Sequence, residues 1–269
     1  MARIHPTAIV HPEAKLDDSV EIGAFCIVER SVEMGPGCVV RSHSILRRHT
    51  TLGENNYVDS FCVLGGLPQD LKFTPDTVSY LRIGNNNVFR EHVTINRATT
   101  PGGATTVGDG GYWMAASHAG HDATVGNRVI LANGAMLAGH SSIEDNVILS
   151  GGAKVHQFTW VGERAILQGN GGATQHLPPF CLSANINRLV GLNSVGLSRA
   201  PEITPEDRRQ VKEAFHITYR RGLPMNRALE EMDAHEEWGS AASKFREFIR
   251  RALSAEKPFA RGIMSLRRD

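Results

Sequence analysis

Aliphatic residues recur at every sixth position from the start of the chain: Ile4, Val10, Leu16, Ile22, Val28, Met34, Val40, Leu46, Leu52, Val58 and Leu64. The same spacing returns at Val125, Leu131, Leu137, Ile143, Leu149, Val155, Val161 and Leu167, with shorter traces at Ile83, Phe89 and Ile95. A period of six fits neither an amphipathic helix nor an alternating strand. It predicts short flat strands joined by corners, with three hexads closing one triangular turn of 18 residues. Glycine often follows the aliphatic residue (Gly23, Gly35, Gly53, Gly84, Gly108, Gly126, Gly162), as expected of a corner turned at positive φ. Four places after the aliphatic residue the side chain is small or slim, as at Ala8, Cys26, Cys38, Ser44, Ala135 and Ala165, which suits an interior filler. Coils stacked at about 4.8 Å through parallel hydrogen bonds would form a prism of about ten turns, roughly 45 to 50 Å long.

Two excursions interrupt the hexads, Gly65 to Tyr80 and a Gly/Thr-rich stretch near Pro101 to Thr105. Loops leaving a rigid scaffold often carry function, although tolerated surface insertions look the same in sequence. After residue 200 the texture becomes charged and helical. Thr204-Pro205-Glu206-Asp207 supplies a cap, a first-turn proline and first-turn acid, so a helix is expected from there to about Gly222. Further helices are expected over about Met225 to Glu237 and Ser240 to Ser254, ending before Pro258. The predicted domains are therefore a parallel β-helix over 1–200 and a small C-terminal helical domain over 201–269.

The 29 basic and 28 acidic residues nearly cancel, which argues against a nucleic-acid footprint. Basic runs at 208–212, Arg220-Arg221 and Arg250-Arg251 fit either an acidic partner or solvated helix faces. The first ten residues lack the apolar run of a signal peptide and no segment reads as a bilayer span, so a cytoplasmic location is expected. Cys26, Cys38, Cys62 and Cys181 show neither zinc nor disulfide spacing and read as reduced and structural.

Histidines gather in one stretch, at 118, 121, 140 and 156. Phased by 18, His121, Gly139 and Gln157 each lie four residues before equivalent corners (Val125, Ile143, Val161), with His140 and His156 one step to either side. All should share one face within two coils, beside Asp122. A neutral imidazole oriented by a carboxylate is a general base for a hydroxyl at neutral pH. No Gly-x-Ser-x-Gly elbow and no electropositive cysteine motif supports a covalent intermediate, so the hydroxyl is expected to attack an acyl donor directly. The backbone N–H of Gly139 is a candidate oxyanion donor.

The segments His121-Asp-Ala-Thr-Val-Gly-Asn127, Leu137-Ala-Gly-His140, Val155-His-Gln-Phe158, Pro68-Gln-Asp-Leu-Lys-Phe73 and Gly191-Leu-Asn193 resemble the acyl-carrier-protein-dependent UDP-N-acetylglucosamine acyltransferases, along essentially the whole chain. The resemblance implies a left-handed coil, against the general preference for right-handed crossovers. It implies a homotrimer with active sites between neighbours. The reaction it implies moves an (R)-3-hydroxyacyl group from acyl carrier protein to the sugar 3-OH, the first step of lipid A biosynthesis, without metal or other cofactor. In that family His121 matches the general base, Asp122 its orienting acid and Gly139 the oxyanion donor. His118, His140, His156 and Gln157 match pocket contacts, and Asp70 and Lys72 reach the sugar and acyl region. Asn193 and Arg199 match nucleotide-sugar contacts, and Gly169 the position that limits acyl depth.

The chain departs from the family pattern at Leu197-Ser198-Arg199-Ala200, where a second basic residue and a preceding Lys are missing, and at Gly110-Gly-Tyr-Trp113. Rival readings are a γ-type carbonic anhydrase holding zinc with three histidines on the same prism, the N-acyltransferase of a later lipid A acylation, and a non-catalytic scaffold. The N-acyltransferase typically carries an extra N-terminal domain, whereas the hexads here begin at Ile4.

Overall fold

The computed structural model describes residues 1–235 and 237–266, and the chain forms the expected left-handed parallel β-helix with a C-terminal helical segment. Three sheets of 12, 9 and 8 strands make the prism faces. On the first face Ile4, Ile22, Val40, Val58, Phe89, Trp113, Leu131, Leu149 and Leu167 stack in one register. The second face stacks Val10, Val28, Leu46, Leu64, Ile95, Ala119, Leu137, Val155 and Ala173. The third stacks Leu16, Met34, Leu52, Ile83, Val107, Val125, Ile143 and Val161. The hexad residues are thus the inward rows, and from the second coil onward they are almost wholly buried. Each large aliphatic side chain so buried contributes about 1.5 to 3 kcal/mol. The four cysteines are free and buried, as expected of fillers.

The glycine row has a different cause from the one expected. None of Gly23, Gly35, Gly53, Gly84, Gly108, Gly126 and Gly162 has positive φ; the left-handed residue stands two places later, at Phe25, Gly37, Asn55, Asn86, Gly110, Arg128 and Arg164. The row is glycine because successive coils nearly touch there. A Cβ on Gly35 would lie 2.9 Å from the carbonyl carbon of Gly53, and one on Gly108 would lie 2.8 Å from that of Gly126. Coils stacked about 4.8 Å apart leave no space for a side chain pointing along the axis.

In the unusual Gly110-Gly111-Tyr112 run, Gly110 is the left-handed corner and Gly111 is crowded by Asn87 and Trp113. The Trp113 indole occupies an inward aliphatic place, fully buried against Phe89, and a Cβ on Gly111 would lie 3.0 Å from the indole Nε1. The missing side chain at 111 makes room for the oversized one at 113.

Both excursions leave the coil at the same corner. The first departs from the second-face strand Val63–Gly66 and returns in the third-face strand Tyr80–Ile83; the second runs between Thr94–Asn96 and Ala104–Val107. The histidine stretch turns this corner too, between His118–Ala119 and Thr124–Val125.

After the last coil an antiparallel pair, Cys181–Ala184 with Arg188–Leu192, extends the first sheet. Helices follow at α1 (Ser194–Ser198), α2 (Pro205–Tyr219), α3 (Met225–Asp233) and α4 (Ser240–Leu253). The short α1 escaped prediction. Thr204 and Asp207 form a reciprocal capping box on α2. Helix α3 stops at Asp233, short of the expected Glu237, and Glu236 lies outside the described residues, as do 267–269. Ser265–Leu266 returns to pair with Arg188–Leu189 of the first sheet. Of the basic runs, Arg209, Arg221, Arg250 and Arg251 are each paired with a carboxylate, so these runs serve largely as internal charge balance.

Candidate active site

The expected column forms. His140 N donates to the His121 carbonyl at 2.9 Å and Phe158 N to the Gly139 carbonyl at 3.4 Å, so the pairs 121–122, 139–140 and 157–158 lie directly over one another at the corner. The second member of each pair (Asp122, His140, Phe158) is left-handed, which turns the chain and directs the side chains outward. The His140 ring stacks on Phe158 at 4.8 Å and meets His121 edge-on at 5.1 Å.

His121 is buried, and its Nδ1 lies 2.8 Å from Asp122 Oδ2. The same oxygen accepts from Thr99 N at 3.0 Å and Thr99 Oγ1 at 2.7 Å. Burial pushes the Asp122 carboxyl up, but the hydrogen bonds from His121 and Thr99 outweigh it and hold the group below its ordinary range. An ionised carboxylate only accepts, so His121 Nδ1 carries a hydrogen, and in the neutral ring the lone pair is then on Nε2. Among the described residues Nε2 has no hydrogen-bond partner, and neither does the backbone N–H of Gly139. A Cβ on Gly139 would sit 2.5 Å from His121 Cε1 and 2.7 Å from Nε2, so the imidazole rests in the space that glycine leaves.

A cavity of about 510 Å³ opens beside this column. His118, His121, Gly139, His156 and Gln157 line its polar end, while Met136, Val155, Ala173 and Ile186 make an apolar trough along the second face. His118 Nδ1 lies 2.7 Å from Thr94 Oγ1, and burial lowers its pKa. Burial also lowers that of His140, against the opposing charges of Asp122 and Asp70. Asp70 Oδ1 accepts from Lys72 N at 2.8 Å; Lys72 itself is exposed and does not line the cavity.

Three further expected residues stand away from the histidine corner within one chain. Gly169 lies at the corner between the first and second faces, exposed and outside the cavity wall. Asn193 caps α1, and both ends of its amide are used, donating to the Arg164 carbonyl at 3.0 Å and accepting from Gly196 N at 2.9 Å. Arg199 is the exposed C-cap of the same helix.

Other residues at the site were not singled out by sequence. Gln69 and Asn96 line the cavity, Thr99 holds Asp122, and Arg261 Nη2 lies 3.2 Å from His156 Nδ1. The excursions break the 18-residue phase that located the histidines, so Thr99 and Gln69 had no positional signal. A donor set for a metal exists in outline, since ligand atoms of His121, Asp122 and His140 lie within 4.8 Å of one another. In that set Asp122 Oδ2 accepts three hydrogen bonds and His121 Nδ1 donates one of them, which leaves Asp122 Oδ1 and His121 Nε2 as the open donor atoms.

A family model described as Udp N-acetylglucosamine O-acyltransferase, Domain 2, matches residues 177–264. Curated relatives bearing the name acyl-[acyl-carrier-protein]–UDP-N-acetylglucosamine O-acyltransferase include one from Burkholderia lata, 42% identical over 249 residues, which covers 91% of this chain and 94% of its own. Another, from Janthinobacterium sp. (strain Marseille), is 38% identical over 267 residues, covering 98% and 100%. Among solved structures, the UDP-N-acetylglucosamine acyltransferase of Francisella novicida matches with a TM-score of 0.90 at 31% identity, covering 99% of this chain and 95% of that one. That of Campylobacter jejuni matches at 0.88 and 31%, covering 98% and 100%.

Proposed function

The chain belongs to the acyl-[acyl-carrier-protein]–UDP-N-acetylglucosamine O-acyltransferase family, and from that premise we propose that the histidine corner is its acyl-transfer site. The reaction is transfer of an acyl group from acyl carrier protein to UDP-N-acetylglucosamine, which opens lipid A biosynthesis. His121 Nε2 takes the proton of the sugar 3-hydroxyl as its oxygen attacks the thioester carbonyl. Asp122 holds the ring and stabilises the imidazolium that forms. The tetrahedral oxyanion is received by the Gly139 N–H, and its collapse breaks the carbon–sulfur bond. The imidazolium returns its proton to the departing thiolate, so the base is regenerated. His118, His140, His156 and Gln157 contact the two substrates, Asp70 and Lys72 approach the sugar and acyl group from the excursion, and the apolar trough takes the (R)-3-hydroxyacyl chain.

The observation that carries this reading is the pairing of an ionised, triply hydrogen-bonded carboxylate with an imidazole whose other nitrogen is free at the cavity. The separation of Asn193, Arg199 and Gly169 from that cavity supports a homotrimer in which neighbouring copies complete each site. Exposed apolar side chains on or beside the second face, such as Ile9, Phe25, Phe61 and Met136, support it too. In this assembly the prism, 1–200, carries the chemistry and the helical segment, 201–269, caps it and faces the carrier. Among the described residues no helix is long and apolar enough to cross a membrane, and we place the enzyme in the cytoplasm. The test is incubation with UDP-N-acetylglucosamine and a panel of 3-hydroxyacyl carrier proteins, with products weighed by mass spectrometry. His121→Ala should abolish product while leaving the circular dichroism unchanged, and turnover retained by a folded His121→Ala protein refutes the assignment.

A further inference from the structure

We infer that Arg97 is a positioning residue of this site, holding the loop 67–79 so that Gln69 stays on the cavity wall with Asp70 beside it in the chain; the inference rests on the cavity being the acyl-transfer site. Residues 67–79 have no strand or helix, and Leu71 is fully exposed near their middle. Such a segment orders itself poorly from its own contacts. Its order comes from the second excursion. At the ends of the loop, Asn96 Nδ2 donates to Leu67 O at 2.9 Å, Gly102 N to Val78 O at 2.9 Å, and Ser79 Oγ to Ala98 O at 2.5 Å. Among the described residues, the hydrogen bonds that tie the middle of the loop to the rest of the chain come from arginine. Arg97 Nη2 donates to Pro75 O at 3.1 Å with the guanidinium 5.5 Å from the Phe73 ring centroid, and Arg48 Nη2 donates to the same carbonyl at 2.5 Å.

The cost of this arrangement argues that it is functional. Arg97 is almost wholly buried, and its Nε and Nη1 have no hydrogen-bond partner. It also shares an acceptor with a second guanidinium. A buried charge with unmade hydrogen bonds is unfavourable, and an aliphatic residue would serve the coil better. What an aliphatic residue cannot do is stack on Phe73 and bond to Pro75 together, which needs a planar fork; lysine lacks that fork as well. The loop so held puts Gln69 on the cavity wall, with Asp70 the next residue along and close enough for its charge to act on His140.

A double-mutant cycle tests the inference on the intact chain. With UDP-N-acetylglucosamine and a 3-hydroxyacyl carrier protein, Arg97→Lys and Arg97→Gln should each lower kcat/KM about tenfold, the effect expected of a misplacement well under 1 Å. In a Gln69→Ala/Asp70→Ala background the same substitutions should cost less than about twofold, because the groups they position are gone. Native-state trypsin should also cut faster after Lys72 in both variants. Equal losses in the two backgrounds, or an unchanged rate of cleavage after Lys72, overturn the inference. So does a variant that lowers Tm alone. These outcomes leave the site reading to its own control, since only a turnover-competent His121→Ala protein counts against that.

Discussion

Replacing Gly139 by alanine separates the placement of the imidazole from every other feature of the corner. The added methyl would lie 2.5 Å from His121 Cε1, about 0.9 Å inside the 3.4 Å at which ordinary contact begins. The ring cannot simply swing aside, because its Nδ1 is bound to Asp122 and Asp122 is bound twice to Thr99. The imidazole must therefore shift by most of an ångström or give up its carboxylate. A displacement of that size at a reacting group costs on the order of 100-fold in rate, equivalent to about 2.7 kcal/mol of barrier. Backbone strain does not contribute, since Gly139 is outside the left-handed region, and the N–H proposed for the oxyanion remains. The measurement is kcat under saturating UDP-N-acetylglucosamine and acyl carrier protein, with Tm followed alongside. A Gly139→Ala enzyme that keeps its Tm and stays within threefold of the parent kcat would refute the claim that this contact sets the base.

Three further outcomes are expected. Asp122→Asn should lower kcat by at least about 100-fold with little change in fold, because a neutral amide no longer stabilises the imidazolium; parental turnover in single-cycle assays would contradict that. His176 is fully buried, accepts from Trp160 N and donates to the Phe259 carbonyl, and burial, reinforced by Arg251 and Arg261, depresses its pKa to about 4. Its folded pKa lies below the unfolded value of 6.5, so its stabilisation is complete above pH 6.5 and is lost progressively as pH falls toward 4, by up to roughly 3 kcal/mol. Urea midpoints across that window should fall more steeply in the parent than in His176→Gln, and identical slopes would exclude it. Gly108→Ala should destabilise by about 1 to 3 kcal/mol through its clash with the next coil. Gly134→Ala, at φ +66° with open space around it, should cost about 1 to 2 kcal/mol at most; thermal melts ranking them the other way would restore positive φ as the reason for the glycine row.

The sequence made the lattice legible and left its attachments unread, for one physical reason. Where the 18-residue period runs unbroken, as from His118 to Leu167, a residue number is also a coordinate, so His121, Gly139 and Gln157 could be stacked by counting. Thr99 and Gln69 sit on excursions whose lengths are not multiples of the period, and counting fails for them although they touch the same corner. Arg261 and Phe259 reach the site from the far side of α4, more than 80 residues from His156 and His176, where no local pattern can announce the contact. The glycine row shows the subtler failure, since its position was right and its cause was wrong. A residue's own φ is a local property, whereas the clash with the next coil exists only after stacking.

This division assigns different work to the two parts of the site. The coil sets the spacing of base, carboxylate and oxyanion donor to within the stiffness of a parallel ladder, at the one corner where both loops emerge. The loops add groups whose placement depends on side-chain anchors such as Arg97 and Asn96 rather than on the ladder. Changes within the column should therefore reduce turnover through the base itself. Changes in the anchors should act through the loop residues they hold and disappear when those residues are removed.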